Sequence, residues 1–173
     1  MRGIVQVYTG KGKGKTTAAL GLALRATGHG FQVYMIQFMK GTMEYGEILS
    51  AKKLDPNFKI VQFGRPEFVN KKNPAKIDVE LAKKALEHAR EILMDRKFDM
   101  VILDEINVAV DFGLISKEDV IELIKNKPEN VELVLTGRNA HPDIVSLADL
   151  VSDVRKIKHP YSEGFHARKG IEY

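Results

Sequence analysis

No cysteine occurs in the 173-residue chain, which excludes disulfide frameworks, thiolate metal sites and cysteine nucleophiles. A signal segment is missing too. The N-terminus shows no charged stretch followed by an apolar one, and the longest apolar runs are strand-sized, short of the roughly 20 residues a membrane helix needs. A cytoplasmic protein is expected. A large excess of one charge is also absent: 27 Lys and Arg stand against 23 Asp and Glu, a net +4. That balance suits an anionic substrate and is too mild to indicate a nucleic-acid surface, so neither nucleic acid nor membrane is expected as a partner. There is no internal repeat, low-complexity run or linker. With 44% apolar and 29% charged residues, one domain spanning residues 1–173 is expected, large enough for a full core.

What is present alternates. "IVQVY", Ile4 to Tyr8, is a β-branched run closed by Thr9 and Gly10, and it reads as a buried strand. Behind it, "KTTAALGLALRATGHG" spaces Ala19, Leu20, Ala23, Leu24 and Thr27 along one helix face, with Gly28 or Gly30 to close it. Further strands are predicted at Phe31 to Phe38, Phe58 to Phe63 and Met100 to Glu105, and within "VELVLTGR" and "DLVSDVRKIKH". Ile77, Leu81, Ala85, Ala89, Ile92 and Leu93 define a long amphipathic helix. Ser116 caps another that runs to Ile124, and Pro142 stands where a third begins, its missing N–H costing nothing there. This alternation predicts an α/β fold, a mainly parallel sheet with helices on both faces and binding groups at the carboxyl ends of its strands. Thr9, Glu105 and Arg138 fall at such ends. Two stretches, "MKGTMEYGEILSAKKL" and "GRPEFVNKKNPAK", are loop-rich and resist this reading; long loops in a compact domain are often functional.

"TGKGKGKTT", Thr9 to Thr17, follows the first strand. It reads as a Walker A loop, G-x-x-x-x-G-K-[ST], with Thr9 in the place of the first glycine, and it makes the expected fold P-loop NTPase-like (RecA-like). Gly10, Gly12 and Gly14 let successive N–H groups turn toward one point, because glycine enters positive φ cheaply. The helix starting near Lys15 adds its positive end. Lys15 supplies charge to phosphate oxygens, and the Thr16 hydroxyl can hold the accompanying Mg2+ or Mn2+. "MVILDE" has the form of a Walker B strand, with Asp104 or Glu105 meeting the metal directly or through water. Successive strand residues face opposite sides, so one of the two acids is expected to point into the site. Arg138 is either a bidentate phosphate donor or a plain surface arginine. The histidines have no metal-ligand spacing. Phe68, a large aromatic in a polar loop, lacks the strand that explains Phe63. Together these residues indicate a nucleoside triphosphate and metal site without naming the reaction. A hydrolase would orient water with Glu105, a kinase would need an acceptor pocket, and a regulatory module would bind without chemistry.

"VYTGKGKGKTTAALGLALRATGHG", "QFMKG", "DMVILDE", "LTGRNAHPDI", "LADLVSDVRKIKHPY" and "ARKGIEY" resemble, in order and spacing, the P-loop type ATP:corrinoid adenosyltransferases, nearly from end to end. The resemblance implies that Thr9 is a family trait. It implies that reduced cobalt of cob(I)alamin or a cobinamide-type corrinoid attacks the 5′ carbon of ATP and releases intact triphosphate, with ATP held the other way round from an ordinary hydrolase. Gly10, Lys11, Gly12, Lys13, Gly14, Lys15 and Thr16 are then expected on the triphosphate, joined by Thr9, Thr17 and Arg138 in the nucleotide site. Thr16 is expected at the metal with Glu105, and Asp104 beside them. Lys15, Glu105 and Phe68 become the candidate catalytic residues, Phe68 as a cover for the lower face of the corrinoid, where Asn70 stands in place of the family's tryptophan. A flavin- or flavoprotein-type reductant and a homodimer are implied as partners. Related chains carry an N-terminal helical extension over the site, whereas here Met1 immediately precedes the first strand, so closure is expected either from elsewhere, such as a partner subunit, or to be less complete. An ATP hydrolase or ATP-dependent module with a conventional Walker A and B pair is the alternative.

Overall fold

The computed structural model describes residues 2–41 and 45–173, the side chains of Tyr161 and Ser162 apart. Thr42, Met43 and Glu44 of the first loop-rich stretch lie outside them. The strands are β1 (Val5–Thr9), β2 (Val33–Phe38), β3 (Phe58–Phe63), β4 (Met100–Asp104), β5 (Glu132–Thr136) and β6 (Leu150–Asp153). The helices are α1 (Lys15–Thr27), α2 (Gly46–Lys53), α3 (Lys76–Asp95), α4 (Ile106–Asp111), α5 (Lys117–Lys125) and α6 (Pro142–Leu147). The six strands form one sheet in the order β3-β2-β4-β5-β1-β6, and every neighbouring pair is parallel.

The period-2 pattern of the strands divides the core in two. Val5, Val7, Tyr34, Ile36, Val101, Leu103, Leu133 and Leu135 face α3, α4, α5 and α6. Val33, Met35, Met100, Ile102 and Val134 face α1 and α2. A parallel sheet covered on both sides follows, with the ends of β1, β4 and β5 side by side at one rim. Among the described residues no helix is long and apolar enough to cross a membrane.

The predicted elements recur, β3 residue for residue, and the Ser116 hydroxyl caps α5 by accepting from the Asp119 N–H at 3.1 Å. Two short helices were not foreseen. α2 lies inside the first loop-rich stretch and buries Ala51 alone, so no apolar stripe marks it in the sequence. α4 turns directly out of β4 because Glu105 adopts a left-handed φ of 63°, which the residue sequence does not signal. The α1 face also differs from expectation: Ala19, Ala23 and Ala26 are buried while Leu24 is exposed. Small alanines let α1 approach the sheet closely, leaving Leu24 at the rim.

Candidate functional site

The chain leaves β1 at Thr9 into the glycine loop. Gly10 (φ 99°) and Gly14 (φ 121°) hold the positive φ expected of them. Gly12 does not. A Cβ there would stand 2.7 Å from the carbonyl oxygens of Val154 and Arg155, and its N–H donates to the Val154 carbonyl at 2.6 Å. Gly12 thus serves close packing against the segment after β6. Thr9 is a brace: its hydroxyl accepts the Ala140 N–H at 3.1 Å, tying the loop after β5 to the glycine loop. Lys15 opens α1 and is buried, its ammonium donating to the Gly12 carbonyl at 2.6 Å. Burial pulls the Lys15 pKa down, against the nearby charges of Glu105 and Asp104.

Asp104 and Glu105 are neighbours with different surroundings. Asp104 is fully buried. Its Oδ1 accepts from the hydroxyls of Thr16 at 2.8 Å and Thr136 at 2.7 Å, and its Oδ2 from Lys40 Nζ at 2.8 Å and Gln37 Nε2 at 3.3 Å. Burial pulls the Lys40 ammonium down, but the charge and hydrogen bond of Asp104, with Glu105 and Glu47 nearby, more than offset it and leave its pKa raised. The Glu105 N–H donates to Thr136 Oγ at 3.0 Å, while its carboxylate makes no hydrogen bond or ion pair among the described residues. Burial first, and the charge of Asp104 second, raise its pKa; Lys40, Lys15 and Arg138 oppose this. The left-handed turn at Glu105 ends the strand; Glu105 faces the cavity beside the glycine loop while Asp104 is buried beneath it, so one of the two acids points into the site, as expected.

Around these groups lies a cavity of ≈ 890 Å³, lined by Gly12, Lys13, Gly14, Lys15, Thr16 and Thr17, by Lys40, Glu105 and Arg138, and by the C-terminal residues Gly170, Ile171, Glu172 and Tyr173. Thr9, Gly10 and Lys11 do not line it, and Asp104 lies beneath its floor. A second cavity of ≈ 700 Å³ is lined by Lys11, Phe68, Arg138, Asn139, Lys156 and His159. Arg138 and His159 line both. Phe68 is fully exposed, so burial does not account for it.

A family model described as ATP:corrinoid adenosyltransferase BtuR/CobO/CobP matches residues 1–173. The chain belongs to this family. It is 38% identical over 172 residues to the corrinoid adenosyltransferase of Escherichia coli K12, spanning 99% of this chain and 86% of that protein. A corrinoid adenosyltransferase of Sinorhizobium sp is 39% identical over 174 residues, with 99% of this chain and 81% of that one covered. The fold is shared more widely. A KaiC-like protein of Pyrococcus horikoshii superposes with a TM-score of 0.59 at 18% identity, covering 88% of this chain and 73% of that one, a likeness that supports the P-loop NTPase (RecA-like) fold alone. Membership of the adenosyltransferase family implies ATP and a corrinoid as substrates.

Sequence reasoning missed Lys40, Gln37 and Thr136, the donors that saturate Asp104, and the C-terminal residues at the cavity wall. One signal was legible: Gln37 is a polar residue near the end of the otherwise apolar β2, where a buried partner is required, and Lys40 follows just after the strand.

Proposed function

We propose that this protein transfers the 5′-deoxyadenosyl group of ATP to the cobalt of a reduced corrinoid and releases intact triphosphate. The observation that carries this reading is the pair of cavities that share Arg138 and His159 as lining residues, one built on the glycine loop and the other holding a fully exposed phenylalanine. A hydrolase needs the first chamber; a transferase needs a second for its acceptor.

In the reaction, the electron pair of cobalt(I) forms the cobalt–carbon bond at C5′, and the C5′–O pair leaves with the triphosphate. Negative charge therefore grows on the phosphate oxygens, and groups that hold it more strongly in the transition state than in the ground state accelerate the step. Lys15 and the amides of Gly14 to Thr17 take this role, with Lys13 and Arg138 at the rim. Lys15 must exchange the Gly12 carbonyl for a phosphate oxygen, an exchange that gains charge assistance. The donor set fits a divalent ion of the Mg2+ or Mn2+ type. Thr16 spends its proton on Asp104, leaving its lone pairs for the cavity, and Glu105 offers a carboxylate without a protein donor. Such oxygen ligands suit a hard cation shared with phosphates, and the ion, when bound, neutralises leaving-group charge. Asp104 is a positioning residue for Thr16 and Lys40.

Phe68 covers the lower corrinoid face in this reading, keeping water or a tethered base from cobalt(II) so that its reduction is easier. A flavin- or flavoprotein-type reductant as electron source and a homodimer as working unit belong to the same proposal and rest on the resemblance alone. Incubation with ATP, Mg2+ and chemically reduced cobalamin tests it: the adenosylcobalamin spectrum should appear with triphosphate as the phosphorus product. Stoichiometric single phosphate without corrinoid dependence would make the protein a hydrolase.

A further inference from the structure

The C-terminal residues do more than end the chain: they place an anion on the glycine loop. Glu172 Oε1 lies 2.8 Å from Lys13 Nζ, with side-chain exposures of 25% and 44% for the two residues. The Lys13 ammonium also approaches the Ile171 carbonyl at 3.4 Å. Glu172 has a second hold. The Arg168 N–H, Nε and Nη2 donate to its carboxylate at 2.7, 3.2 and 3.0 Å. The turn that presents it is closed by Gly170, at φ 78°, whose N–H donates to the Tyr173 carbonyl at 2.7 Å. Both Lys13 and Glu172 line the ≈ 890 Å³ cavity.

We propose that Glu172 is a positioning residue that competes with triphosphate for Lys13, holding the ammonium beside the glycine loop and yielding it when triphosphate arrives. This rests on the reading above that triphosphate lies along the glycine loop. A carboxylate and a phosphate compete for the same ammonium, and the phosphate carries the larger charge. The exchange does not strand Glu172, because the Arg168 donors keep it satisfied after Lys13 has turned away. In the reverse direction Glu172 recaptures Lys13 as triphosphate departs, which lowers the affinity for a polyanionic product that the loop would otherwise retain. The pair is partly exposed, so the competition is modest, within the range of solvent-screened ion pairs.

The test measures the Kd of inorganic triphosphate, with Mg2+, for the whole protein by calorimetry. Glu172→Gln removes the competing charge and should tighten binding about two- to fivefold. In a Lys13→Ala background the same substitution should change nothing, since there is no ammonium left to contest. Unchanged or weaker binding in Glu172→Gln overturns the proposal. So does a gain that persists without Lys13, which would make the segment a simple wall of the cavity. Lys15→Ala separates the two levels of inference. If it fails to weaken triphosphate binding, the seat of the triphosphate is wrong and the exchange falls with it; if it weakens binding while Glu172→Gln has no effect, only the exchange fails.

Discussion

The two chambers that share Arg138 and His159 as lining residues are built from different material. The floor of the first is made of strand ends, where Asp104 is buried under four donors from α1, β2, β5 and the turn after β2. The second is lined by loop residues outside the strands and helices, with Phe68, Lys11 and Lys156 at its wall. A small polyanion needs dipoles and charges fixed before it arrives, since reorganising them during reaction would cost part of the rate. A large flat acceptor needs accessible apolar surface, and exposed loops supply it. Preorganisation belongs to the proposed ATP side and accessibility to the proposed corrinoid side.

Substitutions should respect this division, with the largest effects on the ATP side. Lys15→Ala removes a positioned charge worth on the order of 2–4 kcal/mol, so adenosylation should fall about 10²–10³-fold. Near-normal turnover would break the assignment of the glycine loop to phosphate. Asp104→Ala should cost about 2 kcal/mol of stability by depriving Thr16, Thr136 and Lys40 of their acceptor. A thermal scan should show the midpoint lowered by roughly 4–8 °C; an unshifted midpoint would mean that the floor is not preorganised by Asp104.

On the loop side the effect should be smaller and selective. Phe68→Ala leaves the fold and ATP binding unchanged, because the ring is fully exposed. Turnover from cob(II)alamin should drop about tenfold, near 1.4 kcal/mol, and turnover from pre-reduced cob(I)alamin much less. Equal losses in the two assays would indicate a general docking role, and no loss in either would leave the second chamber without its aromatic.

Legibility follows the same division. The strands, the loop glycines and the two carboxylates could be read in advance because each obeys a local rule of period, turn chemistry or motif spacing. α2 hid because it buries one alanine, and α4 because the turn that starts it is a non-glycine residue at positive φ. The role of Gly12 depends on Val154 and Arg155, and that of Thr9 on Ala140. Such contacts join residues more than a hundred positions apart, which no local pattern encodes. The same holds for Lys13 and Glu172, at opposite ends of the chain.

The smallest expected effect sharpens the contrast between the two acids. Glu105 is held with a raised pKa, by burial first and the charge of Asp104 second, so the folded protein binds that proton more firmly than the unfolded chain does. The sign follows: ionised Glu105 lowers stability at neutral pH, and this cost vanishes as pH falls below the ordinary glutamate range near 4. Glu105→Gln, neutral and similar in shape, should therefore melt slightly higher than the parent at pH 7, with the gap closing toward pH 4. Adding Mg2+ and ATP should reverse the order at pH 7, because the parent alone has a carboxylate to offer the ion, and binding to the native state raises its midpoint. A parent that is the more stable of the two at pH 7 without ligand would show Glu105 to be a structural anion, satisfied by Lys40, Lys15 and Arg138. In that case the metal would have to find its protein ligand elsewhere on the rim.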